Sequence, residues 1–148
     1  MATDKKCLGI LASLLLTATS CGSSEVVTDI PADHARLKAL VTVYAYACRD
    51  LKRPPENFAD LSQIFKQAKI ENPREYFAST RDGKPYVILW GLDLEGRYLG
   101  TKVPIAYERG GKDGKRLLVT CNMEIKELAA AEFAQSEWPT GYEPELAE

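Results

Sequence analysis

A chain of 148 residues with a formal net charge of −2 suits one domain and lacks the basic excess of a dedicated nucleic-acid binder. Its hydrophobic content of 45% and charged content of 27% are ordinary for a globular protein, which excludes disorder throughout. No run of about eighteen apolar residues occurs, so no segment reads as a membrane-spanning helix.

The N-terminus has the order of a secretory signal. "MATDKK" carries Lys5 and Lys6, "CLGILASLLL" is apolar, and "TATSCGSS" is small and polar. Ala18, Thr19 and Ser20 precede Cys21, a pattern that resembles the lipobox of bacterial lipoproteins, with Ala18 where leucine is usual. The resemblance implies a signal peptide over 1–20, cleavage before Cys21, lipid attachment at Cys21 and anchoring to a membrane of the cell envelope, on its periplasmic or surface side. Several acyl chains hold a protein firmly where one holds it only marginally. Residues 21–32 then form a tether made flexible by Gly22, Ser23 and Ser24. Cys7 leaves with the signal, so Cys48 and Cys121 remain. Outside the cytoplasm these two are a candidate disulfide; the alternative is a pair of small buried hydrophobes. A bridge closing so long a loop would stabilise by about 4 kcal/mol in the chain-entropy model.

Residues 33–136 read as an α+β domain. Leu37, Leu40, Val41, Tyr44, Cys48 and Leu51 recur at helical spacing and predict a long amphipathic helix, with Asp29 or Asp33 as its cap and Pro54-Pro55 as its stop. Phe58, Leu61, Ile64 and Phe65 predict a shorter helix capped by Asn57. Asn72-Pro73 and Asp82-Gly83 mark a loop. "PYVILW", "KVPIAYE" and "KRLLVTC" read as strands, "EIKEL" as a short fourth, and Glu127 to Ser136 as a helix. Short connections favour an antiparallel meander of three to four strands, with the long helix packed on one face. Residues 137–148 read as a polar, acidic tail with little order.

The glycine-rich stretch "ERGGKDGKR" invites comparison with a phosphate-binding loop. Gly114-Lys115 is followed by Arg116, which leaves no hydroxyl for magnesium, and a strand rather than a helix follows. Asp113-Gly114 instead predicts a hairpin turn. His34 is the only histidine, and no nucleophile is spaced to work with it. Glu108, Glu124 and Glu127 are candidate paired carboxylates, read as solvated. Tyr44, Tyr46, Tyr86, Trp90 and Tyr107 sit at strand and helix spacing and read as core. Lys102, Arg109, Lys112, Lys115 and Arg116 gather in sequence around the last hairpin and read as a solvated rim.

The long helix followed by "RPPENFADLSQIF" resembles the soluble part of pilins and type II secretion pseudopilins. The segment "IAYERGGKDGKRLLVTCNMEIKELAAAEF" resembles the closing cassette of some prepilin-like proteins. Asn122-Met123 stands where that cassette has Asp-Gly, and the prepilin peptidase signature with its long apolar helix is absent. Covering roughly residues 33 to 134 by element order, the resemblance implies a pilin-like head that acts by contact. The expectation is a lipid-anchored envelope protein with a non-catalytic structural or interaction domain. It would use no cofactor, metal, nucleic acid or small-molecule substrate, and its partners would be the membrane through Cys21 and another envelope protein. The alternatives are an accessory of a type II secretion or pilus-like system, and a small envelope hydrolase or carbohydrate-binding protein.

Overall fold

In the computed structural model, residues 30–146 are described. The segment 1–20 read as a signal, with Cys7, then Cys21, the part of the expected tether up to Asp29, and the last two residues lie outside them. Helix α1 runs Ala32–Leu51 and turns Leu37, Leu40, Val41, Val43, Tyr44, Ala47 and Cys48 inward. Leu51, expected on the buried stripe, is 37% exposed because the helix ends there, with Lys52 in left-handed backbone at φ 58°. Asp33 does not cap α1: Pro31 holds the cap position without a side-chain bond, and Asp33 is buried against a different part of the chain.

Beyond Pro54-Pro55, a 3₁₀ turn (Phe58–Leu61) leads into α2 (Ser62–Gln67). Asn57 caps this pair as predicted, its side chain accepting from the N–H groups of Ala59 at 2.9 Å and Asp60 at 3.2 Å. The segment predicted as loop contains one helical turn, α3 (Pro73–Tyr76), started by Pro73 at a position where its missing N–H is harmless. Phe77 to Tyr86 then doubles back as a small hairpin, tied by Ser79 N–H to Lys84 O at 2.9 Å and Tyr86 N–H to Phe77 O at 3.1 Å.

The fold is α+β, with a four-stranded antiparallel sheet and a few helices. The strands are β1 (Val87–Ile88), β2 (Pro104–Tyr107), β3 (Lys115–Thr120) and β4 (Ile125–Ala129), in the order β1-β2-β3-β4. Between β2 and β3, Lys112 and Lys115 exchange backbone bonds of 2.8 and 2.9 Å around Asp113 and Gly114, at φ 51° and 73°. That is the two-residue hairpin turn the Asp-Gly pair predicts. The helix expected from Glu127 starts later, as α4 (Ala130–Ala134). Residues 127–129 belong to β4 instead, where Glu127 pairs with Leu117 and Ala129 with Lys115. The open edge of β3 overrides the helix preference of the Glu- and Ala-rich run.

One core joins α1, α2, β2, β3 and α4. Tyr44, Ile105, Tyr107, Leu117 and Phe133 are each no more than 1% exposed in it. The segment after α4, expected to have little order, is laid back on the sheet. Trp138 packs edge-on against Tyr107 and Phe133, and the Tyr142 hydroxyl lies 2.9 Å from that of Tyr107. Two aromatics four residues apart supply the apolar area that a purely acidic tail would lack.

Candidate functional site

Three carboxylates lock the Phe77–Tyr86 hairpin into the fold. Asp33, at the start of α1, accepts bonds from Thr80 N–H at 2.8 Å, Thr80 Oγ1 at 2.5 Å and Tyr86 OH at 2.6 Å. Burial pushes its carboxyl up, but those donors and Arg36 outweigh burial and hold it below the usual range. Burial and the bond to Asp33 push the Tyr86 phenol up, so it stays protonated and donating. Asp82, at the hairpin tip, accepts from Lys84 N–H at 2.9 Å, Gly110 N–H at 2.8 Å and Gly111 N–H at 2.9 Å. Its carboxyl too is raised by burial and lowered further by these bonds and by Lys84.

Glu108, read from sequence as solvated, is fully buried at the end of β2. It accepts from Ser79 Oγ at 2.6 Å and Leu117 N–H at 2.7 Å, and Arg81 Nε approaches to 3.5 Å. Arg81 also holds Glu127 at 2.7 Å, so two of the candidate paired carboxylates do meet, with a guanidinium between them. The third, Glu124, is exposed and lies 3.9 Å from Lys126. A glutamate beside Gly-Gly at a strand end looks like a rim residue, and nothing in its neighbourhood along the chain announces the partners that bury it.

The other candidates disperse. Cys48, on α1, and Cys121, just past β3, are both buried free thiols, with Cys48 Sγ donating to Leu92 O at 3.7 Å. Burial pushes both up, Cys121 to about 11. His34 is half-buried in the first turn of α1. The basic set does not form one patch. Arg116 is buried with its guanidinium 4.7 Å from the Phe133 ring, while Lys112 and Lys115 stay exposed at the hairpin tip. Lys102 is exposed before β2, beside a hollow lined by Pro104 and Thr120. Tyr44, Tyr86 and Tyr107 are core as predicted, but Tyr46 is 48% exposed under Arg49. Among the described residues, no group of three His, Cys, Asp or Glu side chains converges to hold a metal ion. No helix among them is long and apolar enough to cross a membrane.

The surface carries several hollows, among them one of about 810 Å³ lined by Arg36, Ile70 and Tyr76 and a cleft of about 370 Å³ beside β1. Phe58, Phe77, Val87, Ile88 and Trp90 form its apolar walls, and Arg74 and Arg109 stand in its lining. Its position follows from packing beneath it. Trp90 stacks on buried Tyr44 at 6.0 Å, and the Tyr44 hydroxyl accepts from Leu92 N–H at 3.0 Å. Phe58 packs on Phe65, and Phe65 on Phe77, at 5.1 and 5.5 Å. Arg74 lies 5.2 Å from the Phe58 ring, a cation–π arrangement that leaves its donors for another partner. No carboxylate lines the cleft. Sequence reasoning placed Phe58 and Trp90 in the core and gave Arg74 no role, because the cleft is made by segments thirty residues apart. No protein-family model, curated protein or solved structure matches the chain.

Proposed function

We propose that this chain is a lipid-anchored cell-envelope protein whose α+β domain works by contact and not by catalysis. Lipid at Cys21 and the short tether would hold the domain at a membrane of the envelope, with residues 1–20 removed as a signal peptide. The order of charged, apolar and small residues before Cys21 supports this anchor. The observation that carries the contact reading is how three acids of the domain are used, two of them buried and Asp82 half-buried. Asp33, Asp82 and Glu108 are each satisfied by donors of their own domain, which is the pattern of structural ties. Among the groups not used in such ties are the aromatic and arginine side chains of the β1 cleft, which suit recognition.

A long helix followed by an antiparallel meander, in the order pilins and pseudopilins show, favours a second reading: an accessory of a secretion or pilus-like system, with a pilin-like head on a lipid anchor. Cell fractionation tests the anchor. Cys21→Ser should move the protein from the membrane to the soluble fraction, and retention on the membrane with unchanged processing would overturn it. Proximity labelling in the native envelope then separates the two readings, since secretion components should be labelled only under the second.

A further inference from the structure

Strand β1 is an edge of the sheet, and its outer side is paired at Tyr86 and open at Ile88. Leu89 N–H donates to Ile105 O at 2.8 Å, so Leu89 and Val87 direct their backbone groups toward β2. By the alternation of an antiparallel ladder, the N–H and C=O of Ile88 point the other way. On that outer side Tyr86 N–H reaches Phe77 O at 3.1 Å. The pairing started at Phe77 would continue to Ile88 if the chain stayed extended, but Pro73–Tyr76 coil into α3 and leave the edge. Among the described residues nothing bonds the backbone of Ile88, and the cleft holding Phe58, Trp90, Arg74 and Arg109 lies along it.

We infer that this edge takes a short extended peptide segment of acidic character from a protein partner, added as an outer strand beside Ile88. The backbone of Ile88 supplies the strand bonds, and Phe58 and Trp90 supply walls for an apolar side chain. The charge selects an acidic segment: the lining holds two arginines and no acid. Arg74 makes no ion pair among the described residues, and Arg109 already holds one carboxylate, that of Glu145 from the chain's own tail, at 3.4 Å. That pair is half exposed on both sides (52% and 55%), so exchanging it for an incoming carboxylate costs little. The inference rests on the contact reading above and names the partner's chemistry.

The test uses the full chain carrying Cys21→Ser and an acetylated, amidated Asp-Val-Glu-Val-Asp peptide. Binding should be saturable, should shift the Ile88 amide and Trp90 indole resonances, and should weaken as salt rises. The basic peptide Lys-Val-Lys-Val-Lys should not bind. Arg74→Glu with Arg109→Glu, both exposed positions, should weaken the acidic peptide at least about tenfold (about 1.4 kcal/mol) and admit the basic one. N-methylation of alternate peptide amides should abolish binding to the unaltered domain, which tests strand addition without any change in the protein. Absence of saturable shifts, shifts remote from Ile88, or equal binding of the N-methylated peptide would each overturn the inference. If the peptide fails while proximity labelling in the envelope still identifies a protein partner, the contact reading stands and only this edge is wrong.

Discussion

Asp82 Oδ2 accepts hydrogen bonds from both Gly110 N–H and Gly111 N–H, at 2.8 and 2.9 Å. The glycine pair that resembles a phosphate cradle is therefore an anion nest whose anion is a side chain of the same domain. Gly111 is fixed twice over: its φ is +74°, and a Cβ there would stand 2.1 Å from Lys115 O. Asp82→Ala should strand three donors, those of Lys84, Gly110 and Gly111, and cost about 1–3 kcal/mol in urea unfolding. Gly111→Ala should cost at least as much, because left-handed strain adds to the clash. Loss of less than a few tenths of a kcal/mol in both would show that the nest does not tie the two hairpins.

The domain should lose stability in acid. The Asp33 and Asp82 carboxyls both lie below their ordinary value of 3.8 in the folded chain. The unfolded chain therefore binds protons first. Their contribution is complete above about pH 4 and is lost as pH falls through the lower folded values. Denaturation midpoints from pH 6 to pH 2 should drop for the native chain, and drop less for Asp33→Asn with Asp82→Asn. Parallel curves would contradict the assignment.

Arg81 touches two glutamates whose surroundings differ, and the difference sets the energies. Glu108 is fully buried, whereas the Glu127 side chain is 48% exposed. Arg81→Met should cost about 3 kcal/mol, mostly by leaving the Glu108 charge uncompensated inside. Glu127→Gln should cost less than about 1 kcal/mol despite the shorter 2.7 Å contact. Urea titration of both variants decides it, and equal losses would refute the ranking.

Cys48 and Cys121 should be slow to react. With the Cys121 thiol pushed up to about 11, about a thousandth of it is thiolate at pH 8. In a chain carrying Cys7→Ser and Cys21→Ser, iodoacetamide at pH 8 should leave both thiols unmodified until denaturant is added. Rapid alkylation of the folded chain would show that these sites open to solvent.

Local patterning carried much of the fold. The apolar spacing from Leu37 to Cys48 marks α1, Asn57 marks the cap of the 3₁₀ turn before α2, and Asp113-Gly114 marks the β2–β3 turn, because each depends on neighbours within a few residues. The β3–β4 turn closes without the expected Asp-Gly: Met123 takes φ 64°, held by its N–H to Thr120 O at 2.9 Å. The start of α4 and the packing of Trp138 and Tyr142 were not legible, since β3 and Tyr107 supply the partners from earlier in the chain. The same holds for Asp33 and Glu108, which look like surface acids until Thr80, Tyr86, Ser79 and Leu117 converge on them.

Sequence alone determined the α+β class, the hairpin at Asp113-Gly114 and the failure of the phosphate-loop reading at Arg116, because periodicity, turn chemistry and motif spacing are properties of adjacent residues. Only the tertiary structure decided which anion the glycines hold, which acids are buried, and that Phe58, Arg74, Ile88 and Trp90 share one cleft. Those outcomes depend on pairing groups far apart in the chain, and the energy of a buried charge or an open strand edge is set by what folding brings beside it.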